Sequence, residues 1–202
     1  MSMKPSKAGS LDRRDVVRRL LDNRGDLLVV GGLGAPCWDI TAADGDHPLN
    51  FPLWGGMGGA AMIGLGLALA QPDRRVLVVT GDGEMLMGIG ALATIAVQAP
   101  ANLAVVVIDN QHYGETGMQE THTGHGVDLA AMAAGAGIPL SATVRSEADL
   151  AAAIPVIRGT EGPVFYVIKV TAENLPKVIP PREGAYLKDR FRIALLGDAA
   201  VF

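Results

Sequence analysis

Two positions with oxygen-bearing side chains stand directly behind uninterrupted apolar runs. Asp82 follows Val76–Thr80 within Gly81-Asp82-Gly83-Glu84, and Asn110 follows Leu103–Ile108 within Asp109-Asn110-Gln111-His112-Tyr113. Both offer the hard oxygen ligands that Mg²⁺ or Ca²⁺ takes. Gly81 and Gly83 permit a tight turn and let a ligand reach bare backbone. A helix opening near Glu84 would aim its free N–H groups at the same place, which suits an anion. Alone, Gly-Asp-Gly is ordinary turn chemistry. The spacing adds information: 25 residues separate Gly83 from Asp109. That is room for one helix and one strand, a crossover that returns the chain to the same sheet edge.

Charge is unevenly placed around these positions. Between Arg24 and Arg145 the only lysine or arginine residues are Arg74 and Arg75, whereas Asp82, Glu84, Asp109, Glu115, Glu120 and Asp128 all lie between Val76 and Val144. A phosphate at the two strand ends would therefore meet no nearby lysine and would need a divalent cation for neutralisation. The same deficit, with a net charge of −4, excludes a nucleic-acid partner. His112, His122 and His125 sit within fourteen positions. They read either as a loop offering a proton donor or substrate contact, or as exposed loop histidines. Zinc at His122 and His125 lacks a third ligand at suitable spacing. Glu115 and Tyr113 share the same two readings, and Trp38 and His47 are given no role. Met57, Met62, Met85 and Met87, set among Ala, Leu and Gly, are expected to pack in the core. The single cysteine, Cys37, excludes an internal disulfide framework and a cysteine-held iron–sulfur cluster. It fits a reducing cytoplasm.

The elements that must position these residues follow from the apolar pattern. With 202 residues, 49% hydrophobic and 19% charged, the chain can bury a real core. Leu27–Val30, Leu77–Val79, Leu103–Ile108 and Val164–Val170 are continuous apolar runs rich in β-branched residues. Continuity marks strands buried on both faces, as in parallel sheets. Helices are expected at Leu11–Leu21, Gly58–Ala70, Met85–Val97, Asp128–Ala134 and Glu147–Ile154, the last capped by Ser146 and Asp149 and ended or kinked by Pro155. The alternation predicts a doubly wound, mostly parallel α/β sheet with helices on both faces, whose ligands sit outside the carboxyl ends of the strands. The uncharged runs Pro48–Pro72 and Met85–Ile108 are interrupted by Pro and Gly, so no membrane span is expected. No apolar segment follows Lys4 and Lys7 as a signal peptide would require. On the helix after the first loop, Ala60, Ala61, Gly64 and Ala68 form a nearly flat face for close packing within the chain or across a subunit boundary. After Ala172, Pro176, Pro180 and Pro181 suggest an extended link to a basic amphipathic stretch, Ala185–Leu196. That stretch reads as a surface helix, or as an arm that docks on a partner or brings positive charge over an anionic substrate.

Gly81-Asp82-Gly83 followed by Asp109-Asn110 resembles the thiamin diphosphate (ThDP) motif of 2-oxoacid decarboxylases and their relatives. Trp54-Gly55-Gly56-Met57-Gly58 resembles that family's loop around the aminopyrimidine ring, and the helix after it is similar as well. The stretch Asp109–Gln119 is similar to that of sulfopyruvate decarboxylase β subunits and phosphonopyruvate decarboxylases. The resemblance implies a Mg²⁺ held by Asp82, the Asn110 side chain and the main-chain carbonyl of His112. It implies diphosphate contacts from Gly81, Gly83 and Glu84 through backbone, and pyrimidine contacts from Gly55 and Met57, with Met57 wedged beneath the cofactor. Candidates for catalytic work are His112, Glu115 and His122. In the family, the activating glutamate comes from a pyrimidine-binding domain that this sequence does not contain. The resemblance therefore implies a β-type subunit, 1–171 forming the ThDP-binding domain and 172–202 a C-terminal extension or arm. It would act on a small 2-oxoacid with an α-type partner subunit, in a hetero-oligomer such as α2β2 or larger. Rival readings are a ThDP-dependent carboligase or lyase subunit, and a non-catalytic Mg²⁺–diphosphate binding protein. A nicotinamide-binding domain is disfavoured because no strand is followed by Gly-x-Gly-x-x-Gly.

Overall fold

Strands with nothing but apolar side chains need cover on both faces, and this chain supplies it from alternating helices. A computed structural model describes residues 11–201; Lys4 and Lys7 lie outside the described residues. Six strands form one parallel sheet: β1 (Leu28–Gly31), β2 (Asn50–Pro52), β3 (Val76–Gly81), β4 (Leu103–Asp109), β7 (Leu140–Val144) and β8 (Val164–Lys169). Their spatial order is β2-β1-β3-β4-β8-β7, and every pairing is parallel. A small antiparallel pair, β5 (His112–Tyr113) and β6 (Gln119–Glu120), stands apart from it.

Successive residues of each central strand feed opposite cores. Val76, Val78, Leu103, Val105 and Val107 face α3 (Ala60–Ala70), α5 (Ala91–Gln98) and α6 (Leu129–Ala136). Leu77, Val79, Ala104, Val106 and Ile108 face α1 (Arg13–Leu21), α7 (Glu147–Gly159) and Ile40 of α2 (Ala35–Asp44). Helix starts are set locally. Asp12 accepts from Asp15 N at 2.7 Å, Asp128 accepts from Ala131 N at 3.0 Å, and Ser146 with Asp149 forms a capping box. The flat face of α3 packs on the sheet within the chain. A Cβ at Gly64 would lie 2.1 Å from Val78 Cγ2.

Three details depart from the sequence-based expectation. The helix expected over Met85–Val97 is two helices, α4 (Asp82–Met87) and α5, parted around Gly88 and Gly90. Helix α7 continues through Pro155 to Gly159. Ala151 and Pro155 are exposed, so the carbonyl that loses its donor can meet water, and buried Ile157 anchors the following turn. Of the four methionines expected in the core, Met85 is buried, whereas Met57, Met62 and Met87 are exposed.

Beyond β8 the chain runs without regular structure from 171 to 183 and then forms α8 (Gly184–Leu196). Leu187 and Phe191 of α8 are buried, and the Phe191 ring lies 5.3 Å from that of Phe51 in β2. Arg190 binds the Asp46 carboxylate and the Asn50 carbonyl. No described helix is long and apolar enough to cross a membrane.

Candidate active site

The chain leaves β1 for α2 on one side of the sheet and leaves β3 for α4 and α5 on the other. Divergence of two neighbouring strand ends opens a crevice, the usual ligand position in such sheets. A cleft of about 820 Å³ lies there. Its walls include Leu33 and Pro36 after β1, Gly81–Glu84 after β3, and Asn110 and His112 after β4.

Asp82 opens α4 and is 2% exposed. Its Oδ2 accepts from the hydroxyls of Thr121 and Thr123, the latter at 3.1 Å. The Thr123 hydroxyl is also 2.8 Å from Asp109 Oδ1. Asp109 is fully buried and paired with Lys169 on the adjacent strand, its register partner. Thus one of two neighbouring carboxylates carries a cation, and among the described residues the other is met by hydroxyls. Burial, and then the Asp109 charge, push Asp82 up to about 6. A cation placed beside Asp82 would favour its ionised form. Lys169 also corrects the expectation of a site without lysine. It comes from β8, outside the stretch of sequence that lacks basic residues, and the strand order places it beside Asp109.

The other strand end is shaped by a left-handed residue. Gln111 has φ of 64° and lies between Asn110 and His112. Asn110 Oδ1 accepts from His112 N at 3.0 Å, and His112 Nδ1 lies 2.9 Å from the Asn110 carbonyl. The Tyr113 ring covers Gly83, where any Cβ would lie 2.3 Å from Tyr113 Cε1. At Gly81 and Gly55 that position is open.

Glu84 sits beneath the crevice, 3% exposed, and accepts from Thr80 Oγ1 at 2.7 Å. Its Oε2 fills the space where Gly32 would carry a Cβ, at 1.9 Å. Burial raises its pKa, opposed by Thr80 and by the backbone amides of Gly58, Leu33 and Ala60. These contacts bring the loops after β1, β2 and β3 around one carboxyl group.

Of the residues expected from the sequence, Met57, Gly81, Asp82, Gly83, Glu84, Asn110, His112, Glu115 and His122 all line the cleft. Gly55 is exposed and outside the lining. His125 is turned to Glu120 on the surface, 3.4 Å away. Sequence reading missed Trp38 and Lys177, which line the cleft and stack on each other at 4.3 Å. It also missed Thr121, Thr123 and Lys169 around the two aspartates. Among the described residues no three His, Cys, Asp or Glu side chains gather as a metal group. A cation here would rest on Asp82, the Asn110 amide and main-chain oxygen. Such an oxygen set fits a hard divalent ion that keeps water and phosphate ligands.

A doubly wound sheet with a cleft at the switch point of its strand ends defines an α/β domain of the ligand-binding kind. The chain belongs to the thiamine pyrophosphate enzyme family, whose C-terminal TPP binding domain model matches residues 37–168. It is part of a thiamin diphosphate-dependent enzyme. It is 36% identical to the sulfopyruvate decarboxylase β subunit of Methanothermobacter thermautotrophicus over 90% of this chain and 94% of that one. It is also 36% identical to a phosphonopyruvate decarboxylase of Streptomyces viridochromogenes, over 94% of this chain but 46% of that protein. Among solved structures, a thiamin diphosphate-dependent enzyme from Mycobacterium smegmatis superposes with a TM-score of 0.69 at 27% identity. That match covers 86% of this chain and 34% of the other. The chain therefore spans nearly all of the β subunit and less than half of the two longer enzymes.

Proposed function

We propose that this chain is the ThDP- and Mg²⁺-binding subunit of a 2-oxoacid decarboxylase of the sulfopyruvate or phosphonopyruvate type. A separate α-type subunit would bring the pyrimidine-binding domain and its catalytic glutamate. The observation that carries the reading is Asp82, a buried carboxylate beside a lysine-paired one, facing the crevice with no cationic side chain bound to it among the described residues. Asp82, the Asn110 side chain and the His112 carbonyl would hold Mg²⁺. Backbone at Gly81, Gly83 and Glu84 would meet the diphosphate, and Gly55 and Met57 the aminopyrimidine. A cofactor held there would supply the electron sink for loss of carbon dioxide from a 2-oxoacid. The chain's own side chains orient and enclose. Glu84 ties the cradle loops together, while His112, Glu115 and His122 stand on the cleft wall where a proton can be delivered. Residues 1–171 would be the cofactor domain and 172–202 a C-terminal extension, whose Asn174, Leu175 and Lys177 line the cleft.

Need for a partner is supported in two ways. The chain matches a subunit over almost its full length. Helix α3 has no charged residue and exposes Met62 and Ile63, while Met57 and Met87 expose apolar surface on the cleft wall. A helix apolar all round is one that something covers. The assembly would be α2β2 or larger, and unpaired Cys37 fits a cytoplasmic setting. The test is carbon dioxide release from sulfopyruvate or phosphonopyruvate with ThDP and Mg²⁺. This chain combined with a pyrimidine-binding subunit is expected to be active, and each alone inactive. Turnover by this chain alone contradicts the two-subunit arrangement. A stable complex that releases carbon dioxide from neither acid contradicts the decarboxylase reading.

A further inference from the structure

Segment 171–183 crosses the cleft under restraint at several points. Thr171 N donates to the Leu11 carbonyl at 2.9 Å. Arg14 Nη2 donates to the Pro176 carbonyl at 2.8 Å, and Trp54 Nε1 to the Pro181 carbonyl at 2.7 Å. Arg182 lies 5.6 Å from the Trp54 ring. Between these ties, Asn174, Leu175 and Lys177 become part of the cleft wall.

Among the described residues, the lysines and arginines that line the cleft are Arg13 and Lys177. Arg13 is 5% exposed and committed to Asp39 at 3.3 Å. The Lys177 ammonium is held 4.3 Å from the Trp38 ring centroid, and among the described residues its carboxylate partner is Glu115 at 3.5 Å. Both members of that pair are about half exposed, a setting in which an ion pair is weak and readily exchanged. Stacking on an aromatic face fixes where the charge stands without neutralising it. The remaining titratable wall groups are Asp82, Glu84, Glu115, His112, His122 and Tyr113.

We infer that Lys177 is a specificity-determining residue whose ammonium exchanges Glu115 for a second anionic group of the substrate. A 2-oxoacid bearing a distal acid group is then selected over one with a neutral side chain. The inference rests on the 2-oxoacid reading above. Segment 171–183 is the device that delivers the charge, and Glu115 is the competitor that the substrate displaces.

The test has two arms on the assembled complex loaded with ThDP and Mg²⁺. In the first, kcat/KM is compared for sulfopyruvate and for pyruvate. Lys177→Met is expected to lower kcat/KM for sulfopyruvate about 10- to 100-fold, the range of a charge-assisted hydrogen bond, chiefly through KM. Pyruvate is expected to change little. In the binding arm below, Glu115→Gln is expected to tighten sulfoacetate binding, and the double variant to bind sulfoacetate as Lys177→Met does. In the second arm, calorimetry compares unreactive sulfoacetate with acetate. Lys177→Met is expected to abolish the preference for the dianion. An equal loss for both substrates together with an unchanged sulfoacetate preference overturns the inference. Absence of decarboxylation by the wild-type complex would instead count against the function, and the binding arm would still judge Lys177.

Discussion

At the scale of single residues, the site is organised by how it settles two buried carboxylates. Lys169 settles Asp109, and the threonine hydroxyls of positions 121 and 123 bridge toward Asp82. Removing one member of a buried pair leaves an uncompensated charge, a loss of about 3–5 kcal/mol. Lys169→Met should therefore destabilise the fold by that order in urea denaturation. Adding Asp109→Asn should recover much of the loss, because no buried charge is then left without a partner. Equal destabilisation by the single and double variants would show that the pair does not carry this energy. Cys37 gives a second test. Its thiol is 2% exposed and donates to the Gly32 carbonyl at 2.9 Å. Burial pushes it from the ordinary 9.0 up to about 12. The folded value exceeds the unfolded one, so its contribution to stability is complete below pH 9.0 and is lost as pH rises toward about 12. At pH 8 a thiol reagent should leave native Cys37 unmodified and react once the chain is denatured; rapid labelling of the native protein would contradict this.

At the scale of elements, close backbone contacts decide where the cradle loops lie. Gly88, between α4 and α5, passes against the loop that carries Met57. A Cβ on Gly88 would lie 2.1 Å from the Gly58 carbonyl oxygen, whereas at Gly90 it would meet nothing within 4 Å. Gly88→Ala should cost about 1–3 kcal/mol in thermal or urea unfolding, the usual range for overpacking, and Gly90→Ala much less. Equal effects would deny the close approach. The central strands were legible because burial on both faces makes their sequence continuously apolar, and Asp82 and Asn110 because they follow those runs. Strand β2 was not legible, being three residues long and ending in Pro52. Strand β7 lies at the sheet edge and is largely exposed or half-buried, so its signal is diluted. Helix α2 has no polar face to mark its period. Lys169 escaped notice because its partnership with Asp109 depends on β8 lying beside β4, and strand order is a property of the whole sheet. The Trp38–Lys177 contact joins opposite ends of the chain, and neither residue type nor spacing announces it.

At the scale of the whole molecule, the uneven charge seen in the sequence becomes a division of labour. Backbone, Asp82 and Asn110 form the proposed cation-dependent diphosphate site, Lys169 is consumed in holding Asp109, and the positive charge proposed to meet a substrate arrives late in the chain, on the segment before α8. Exposed methionines beside the cleft and an α3 without charge leave a surface for the partner that would complete the active site. The central claim is that this chain holds ThDP through a cation bound at Asp82. Its most direct test is calorimetric titration of ThDP into the assembled complex with and without Mg²⁺, for the wild type and for Asp82→Ala, with circular dichroism confirming that the variant is folded. Saturable binding that requires Mg²⁺ and disappears in folded Asp82→Ala is the predicted result; binding that persists in the variant, or that ignores Mg²⁺, would contradict it.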